Sequence, residues 1–450
     1  MPCCGTLNQL IRVLAAKSVL SDTELTFQFT GVNTDTRIIK PGDIFVALRG
    51  EKFDGHAFVT AALDKGAIAA IVDSKFQAPN ESLPLLQVED TLEAYQKIAH
   101  WWRQQFSIPV IAITGSVGKT TTKELIAAVL ATQGHVLKTQ ANYNNEIGVP
   151  KTLLELSSEH NYAVIEMAMR AKGEIALLTQ IACPTIGVIT NVGTAHIERL
   201  GSEQAIAEAK CELLAEMSNS AMAILNHDNS RLITTAATVW QGQTLTYGLG
   251  GGDIRGEVID RQILVDGRYL ALPLPGRHNA ANFLAALAVA KVLQIDWSNL
   301  TNLVVDMPSG RSQRHELPND VVILDESYNA APEAMKAALY LLAETPGKRR
   351  IAVLGAMKEL GERSLQLHQE VGDLVRQLNI DSLIVLVDSG DAEAIATSAA
   401  GVSTERFSSH EDIVKHLREV VKEGDRILIK AAHSVGLDRV VNDFRNKSNL

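Results

Sequence analysis

The run Ile108-Pro109-Val110-Ile111-Ala112-Ile113-Thr114 passes without interruption into Gly115-Ser116-Val117-Gly118-Lys119-Thr120-Thr121, and a helical pattern follows from Lys123 to Leu130. A continuous β-branched run of this kind belongs to a strand buried on both faces, which requires a parallel sheet covered by helices on either side. A strand that ends in glycines and opens a helix turns backbone N–H groups toward one point, where the helix end adds positive potential. A phosphate suits that point. Glycines admit it, Lys119 reaches its outer oxygens, and the Thr120 hydroxyl can bind Mg²⁺. The usual spacing has a glycine five residues before Gly118, where this chain has Ile113 and offers Gly115 instead. A glycine turn feeding a helix without any ligand is the competing reading.

The same alternation continues. Apolar runs end at Glu166 (from Tyr162), Asn191 (from Thr185) and Asn226 (from Ala221), with helical stretches between them, which predicts a right-handed, doubly wound sheet. Before it, residues 1–107 mix strand-like runs at 44–48 and 68–72 with helices, the last from Thr91 to Phe106. Residues 243–275 alternate with turn glycines and predict a β-ribbon added to the sheet, and a helix follows from about Asn279 to Leu293. After Gly310 a third alternation places strands at 321–324, 351–354, 383–387 and 427–429. The expected architecture is therefore α/β in three domains: 1–107, 108–310 and 311–450, the last doubly wound and Rossmann-like. A length of 450 residues fits that count at roughly 150 per domain. No repeat is visible, which argues against solenoids and propellers.

Composition narrows the function classes. With 46% hydrophobic and 21% charged residues the chain reads as globular, and its net charge of −10 disfavours a general polyanion-binding surface. Nucleic acid is not an expected partner, and any nucleotide must be held by a local site. Cys3, Cys4, Cys183 and Cys211 form no C-x-x-C pair, which fits thiols in a reducing compartment and makes the cytoplasm the expected location. No stretch reaches about 18 uninterrupted apolar residues, and Met1-Pro2-Cys3-Cys4-Gly5 lacks the order of a signal peptide, so neither membrane insertion nor export is expected.

Several residues stand where chemistry is plausible. Glu166 ends a strand, and open parallel sheets bind ligands beyond the carboxyl ends of their strands. A carboxylate there can hold Mg²⁺, or it is simply a solvated strand-end acid. His196 follows the next strand in Asn191-Val192-Gly193-Thr194-Ala195-His196, on the same rim, with an ordinary polar loop histidine as the alternative. Lys210 lies in the helical stretch Ser202 to Met217, where Ile206, Leu213 and Met217 share its face. Burial favours the neutral amine, which reacts with CO₂ to give a carbamate able to ligate a metal; a lysine that snorkels to water is the alternative. Gly276-Arg277-His278-Asn279-Ala280-Ala281-Asn282 opens a helix, with Asn279 either facing an adenine edge or capping the helix. Asp325-Glu326-Ser327-Tyr328-Asn329 ends the first strand of the third domain and offers an acid for ribose hydroxyls and an aromatic for stacking, or a plain turn before Pro332.

Taken together these residues resemble the Mur ligases, the ATP-dependent amide-forming family that builds the peptidoglycan precursor peptide. The resemblance covers nearly the whole chain, and the shortened phosphate loop is the form that family carries. Asp35-Thr36-Arg37, Pro41-Gly42-Asp43 through Gly50, and Phe53-Asp54-Gly55-His56 are similar to the uridine-nucleotide domain of the member that adds D-alanyl-D-alanine. Thr139-Gln140-Ala141-Asn142-Tyr143-Asn144-Asn145 through Pro150, and Asp325 through Ala330, point to the same member.

The resemblance implies ATP and Mg²⁺ as cofactors, with UDP-N-acetylmuramoyl-tripeptide and D-alanyl-D-alanine as the other small-molecule partners of a monomer. It implies ATP contacts from Gly115 through Thr121, with Asn279 at adenine, Arg311 at the phosphates, and Asp325 and Tyr328 at the nucleoside. Thr120, Glu166, His196 and a carbamylated Lys210 would serve the metal; Lys119, His196, Lys210 and Arg311 would be catalytic; Asp35, Thr36, Arg37, Asn142, Asn144 and Asn145 would bind the acceptor. The chain departs from the family at Ala168-Met169-Arg170-Ala171, at Lys430-Ala431-Ala432-His433 and at Ala356. A folylpolyglutamate synthetase and a non-catalytic nucleotide switch are the competing functions; the first leaves the uridine-like segment unexplained, the second the full set of metal and phosphate positions.

Overall fold

The computed structural model describes residues 2–18, 20–51, 53–80, 82–300 and 303–446, so Met1 and 447–450, the outer ends of the first and third expected domains, lie outside the described residues. Three large sheets organise the described residues. The central one has nine strands, with Val110–Thr114 flanked by Tyr162–Glu166 and Ile186–Ile189, all parallel. Its strand alternation feeds two cores. Ile111 and Ile113 join Leu125, Ile126, Phe283 and Leu287 of the helices Lys119–Ala131 and Arg277–Val292. Val110 and Ala112 join Ile175, Leu178, Ile206 and Leu213 on the other side. A strand buried on both faces is thereby explained by helices on both faces.

Outward from Ile186–Ile189 come Met222–Asn226 and Gln243–Gly248, still parallel. The ribbon expected over 243–275 is thus shorter: Gln243–Gly248 belongs to the parallel sheet, and the antiparallel part is Ile254–Ile259, Gln262–Val265 and Arg268–Ala271. The helix after the glycine loop also begins earlier than the apolar pattern suggested, at Lys119 instead of Lys123. Its first turn, Lys-Thr-Thr-Thr, is polar, so hydrophobic periodicity cannot register it.

The first part of the chain contributes a five-stranded sheet whose strands Gly31–Asn33, Asp43–Val46, Ala69–Asp73 and Leu85–Val88 are parallel. It is fused to the central unit. Ile98 and Trp102, of the helix Thr91–Arg103, share one apolar cluster with Leu153 and Leu178, and the Trp102 indole N–H donates to Leu156 O at 3.0 Å. Buried Arg103 donates to Ala182 O at 3.0 Å.

The last part is a six-stranded sheet in the order Gln313–Leu317, Val321–Asp325, Asp425–Lys430, Arg349–Leu354, Ser382–Leu386 and Ser403–Phe407, parallel except for its first strand. It has its own apolar core. Its outer strands escaped the sequence reading because Gln-Arg-His-Glu-Leu and Ser-Thr-Glu-Arg-Phe carry almost no apolar pattern, as half-solvated edge strands need not. Among the described residues no helix is long and apolar enough to cross a membrane.

Candidate active site

The glycine loop is held from the neighbouring strand end. The Ser116 N–H donates to Asn191 O (3.1 Å), the Val117 N–H to Asn191 Oδ1 (3.0 Å), and Thr190 Oγ1 to Val117 O (2.6 Å). The loop passes so close that a Cβ on Gly115 would stand 1.9 Å from Thr190 Oγ1. Gly118, at φ 83°, precedes the helix without a side-chain cap, so the first-turn N–H groups are left for a ligand. Lys119 folds back, donating to Gly115 O (2.8 Å) and Ser116 O (3.4 Å). Burial lowers its pKa, which the carboxylate of Glu166 opposes and the charge of Arg311 reinforces.

Glu166 is 2% exposed at the end of its strand. Its Oε1 accepts from Asn144 Nδ2 (2.7 Å), while Oε2 is buried without a hydrogen-bond partner among the described residues. The nearest ammonium, Lys123 Nζ at 3.9 Å, is already engaged by Glu124 (2.9 Å) and Thr139 O (2.8 Å). A buried carboxylate oxygen without a donor is costly, and a cation would satisfy it. No three His, Cys, Asp or Glu side chains among the described residues form a ready-made cage, so such a cation would lean on few protein ligands.

His196 has a left-handed backbone at φ 67° and its Nδ1 meets Glu359 Oε2 at 2.5 Å. Lys210, in the helix Glu203–Glu216, is 1% exposed, which excludes the snorkelling alternative. Burial pushes its pKa well down, the charge of Lys119 adds to this, and Cys211 opposes it.

Across the cleft, Arg311 lies 4.0 Å over the Tyr328 ring, which also stacks on His433 at 5.1 Å. Asn279 is 1% exposed and sits inside the helix Arg277–Val292, whose cap residue is Gly276; its amide donates to Pro275 O at 2.8 Å. The capping alternative therefore fails.

One cleft of about 830 Å³ brings together Ser116 through Thr121, Asn142, Asn144, Glu166, His196, Asn279, Arg311 and Tyr328. Gly115, Lys210, Asn145 and Asp325 do not line it. Asp325 is spent on its own turn, accepting from Ser327 N–H (3.1 Å) and Oγ (2.6 Å), and its neighbour Glu326 faces the cleft instead. Asn145 Oδ1 accepts from Gly148 N–H (2.9 Å) at the start of the helix Gly148–Leu153. Asp35, Thr36 and Arg37 lie apart from the cleft: Asp35 grips Arg37 through Nε (2.9 Å) and Nη2 (2.6 Å), which holds its carboxyl down at about 2. Thr36 O accepts from Lys65 Nζ (2.9 Å).

Of the departing stretches, Ala168, Arg170, Lys430, Ala432 and His433 line the cleft, whereas Ala356 and Ala431 do not and are buried in the last unit's core, which Ala432 also joins. Sequence reasoning did not single out Glu333, Glu359, Lys358, His278 or Lys430 as cleft residues. Lys430 and His278 stood in stretches already noted for other reasons; the two glutamates and Lys358 follow no local pattern.

A phosphate loop at the carboxyl end of a parallel strand, facing a buried acid and closed over by a separate α/β unit, defines a phosphate-loop nucleotide enzyme whose site spans two units. Profiles for the Mur ligase middle domain (residues 113–290), the Mur ligase glutamate ligase domain (310–433) and the Mur ligase family catalytic domain (28–103) match this chain. The chain belongs to the Mur ligase family. It is 55% identical over 437 residues, 96% of each chain, to UDP-N-acetylmuramoyl-tripeptide--D-alanyl-D-alanine ligase of Synechocystis sp.. Among solved structures it resembles MurF from Acinetobacter baumannii (TM-score 0.88, 28% identity, 99% of this chain and 100% of that one). It also resembles MurF ligase from Thermotoga maritima in complex with ADP (TM-score 0.84, 32% identity, 93% and 97%).

Proposed function

We infer that this chain is an ATP-dependent ligase that joins D-alanyl-D-alanine to UDP-N-acetylmuramoyl-tripeptide, giving the pentapeptide, ADP and phosphate. What carries this reading is the convergence of the phosphate loop, Glu166, His196 and Arg311 on one cleft, in a chain 55% identical end to end to a ligase of that name. The γ-phosphoryl group of ATP moves to the tripeptide carboxylate; the dipeptide amine attacks the resulting acyl phosphate, and phosphate leaves from the tetrahedral intermediate. Lys119 leaves its loop carbonyls to meet the outer phosphate oxygens, and the first-turn N–H groups and Arg311 share the developing charge. Thr120, Glu166 and His196 would hold Mg²⁺, which when bound neutralises charge on the transferred group.

Lys210, outside the cleft lining but near enough for its charge to act on His196, would supply a further anionic ligand as a carbamate: its neutral Nζ adds to CO₂, forming an N–C bond and releasing one proton. Its burial and the nearby charge of Lys119 favour the neutral amine that this requires. Asp35, Thr36, Arg37, Asn142, Asn144 and Asn145 serve the acceptor nucleotide peptide, with Lys151 of the central unit near enough to Asp35 to help lower its pKa. The three-domain division 1–107, 108–310 and 311–450, action as a monomer, and a cytoplasmic location supported by four free thiols complete the reading. The test is phosphate release by the purified protein with ATP, Mg²⁺ and the nucleotide tripeptide, with and without D-alanyl-D-alanine. Release that depends on both substrates is expected; ATP hydrolysis indifferent to either would overturn it.

A further inference from the structure

The segment from Asn191 to Arg199 leaves the central sheet, carries His196, and is gripped twice from the last unit. Glu333, in the first turn of the helix Pro332–Glu344, accepts through Oε1 from the Thr194 N–H (2.8 Å) and Oγ1 (2.9 Å). Gly193 makes this approach possible, since a Cβ there would stand 2.6 Å from the Glu333 carboxylate. Glu359 receives His196 Nδ1 on Oε2 and the Glu198 N–H on its backbone oxygen (3.3 Å). The gripped segment is in turn bonded to the phosphate loop, with the Gly193 N–H on Ser116 Oγ (2.9 Å) and Asn191 paired with Val117.

Building on the ligase reading above, we propose that Glu333 and Glu359 are positioning residues, a two-point clasp through which docking of the last unit sets the Asn191–Arg199 segment and so aligns both His196 and the phosphate loop for phosphoryl transfer. Neither glutamate needs to touch ATP. With Glu359 as acceptor, His196 Nδ1 carries the proton and Nε2 is left as the acceptor atom. Glu333 fixes the chain two residues earlier, where a rotation of the Thr194 peptide would carry His196 with it. The loop that bears Glu359 is itself anchored, because buried His368 accepts the Met357 N–H on Nε2 (2.9 Å) and donates from Nδ1 to Ser364 O (2.7 Å).

The clasp separates turnover from binding. Glu333→Ala and Glu359→Ala should each lower kcat by roughly 10- to 100-fold, as a small misplacement of reacting groups does, with KM for ATP and for both other substrates little changed. Glu333→Gln and Glu359→Gln keep the accepting oxygen and should recover most of the loss. Two readouts are independent of activity: with ADP and the nucleotide tripeptide bound, the Thr194 amide should exchange faster in Glu333→Ala, and the His196 ring should lose its preference for the Nδ1-protonated tautomer by NMR in Glu359→Ala while the Glu198 amide, held by the backbone oxygen of residue 359, keeps its protection, with melting temperatures near that of the parent.

Wild-type turnover in both alanine variants would overturn the clasp, as would glutamine variants as impaired as alanine, which would assign the carboxylates a charge role. A general fall in melting temperature, or a rise in KM without loss of kcat, would assign them to folding or binding and overturn it equally. A parent enzyme without substrate-dependent phosphate release would instead sink the ligase reading itself.

Discussion

Lys119 and Lys210 set the electrostatic problem of this site at the scale of single residues. Lys210 is buried and Lys119 half-buried, and the charge of Lys119 lowers the pKa of Lys210. On the proposed function the ammonium of Lys119 meets the phosphates, so Lys119→Ala should cut ligation by about 10² to 10³, the usual cost of one electrostatic contact to a transition state; phosphate release by a variant with unchanged circular dichroism checks this. For Lys210 the useful contrast is between charge signs. Lys210→Ala should lose most turnover and regain part of it with added short carboxylic acids, whereas Lys210→Arg should stay inactive because guanidinium remains cationic and cannot be carbamylated. Near-normal turnover in Lys210→Arg would leave a structural lysine.

His368 adds a pH dependence. Burial lowers its pKa below the ordinary 6.5, and its Nε2 must remain an acceptor. Between those two values the unfolded chain binds more protons than the folded one, so this contribution to stability is present above about pH 6.5 and is lost as pH falls through the folded value. Denaturant titrations at pH 7.5 and 5.5 should therefore show a smaller pH difference for His368→Gln than for the parent.

Among elements, the loop Gly115–Gly118 depends on close approach more than on attraction. Gly115→Ala must displace Thr190, whose hydroxyl holds Val117 O, and a clash of this kind in a packed site typically costs about 1–3 kcal/mol. ATP-analogue binding measured by calorimetry should weaken markedly while the sheet persists. This element was legible in the sequence because a buried parallel strand, glycines and a Lys-Thr pair each leave a local trace. The core strands were legible for the same reason: Val110–Thr114 and Tyr162–Glu166 are apolar runs up to their last residue. Elements whose partners are distant left little trace. Gln313–Leu317 exists because Val321–Asp325 offers it an edge, and Glu333 and Glu359 matter because a fold brings them to Thr194 and His196, well over a hundred residues away in the chain. Asp325 shows the converse: a strand-end acid looks the same in sequence whether it faces a ligand or closes its own turn.

At the scale of the molecule, the two junctions differ in kind. The first unit shares an apolar core with the central one, whereas the last has its own core and meets the central unit through polar contacts: Glu333 with Thr194, Glu359 with His196 and Arg363 with Glu203 at 3.1 Å. Polar interfaces within a chain open more readily than apolar ones. Motion should therefore be confined to the last unit, and small-angle scattering should show compaction when an ATP analogue and the nucleotide tripeptide are both present. Unchanged dimensions in all states would argue against closure.

The nine-stranded sheet has a consequence of another sort. Its two outer strands, Val136–Lys138 and Arg268–Ala271, are only three and four residues long, and Lys138 and Arg268 are paired with Glu124 and Asp296. A long bare edge would invite a second chain to add its own strand; short edges bearing charge offer few free backbone groups and penalise a neighbour's approach. So broad a sheet can accordingly be kept at high concentration in a crowded cell without seeding aggregates.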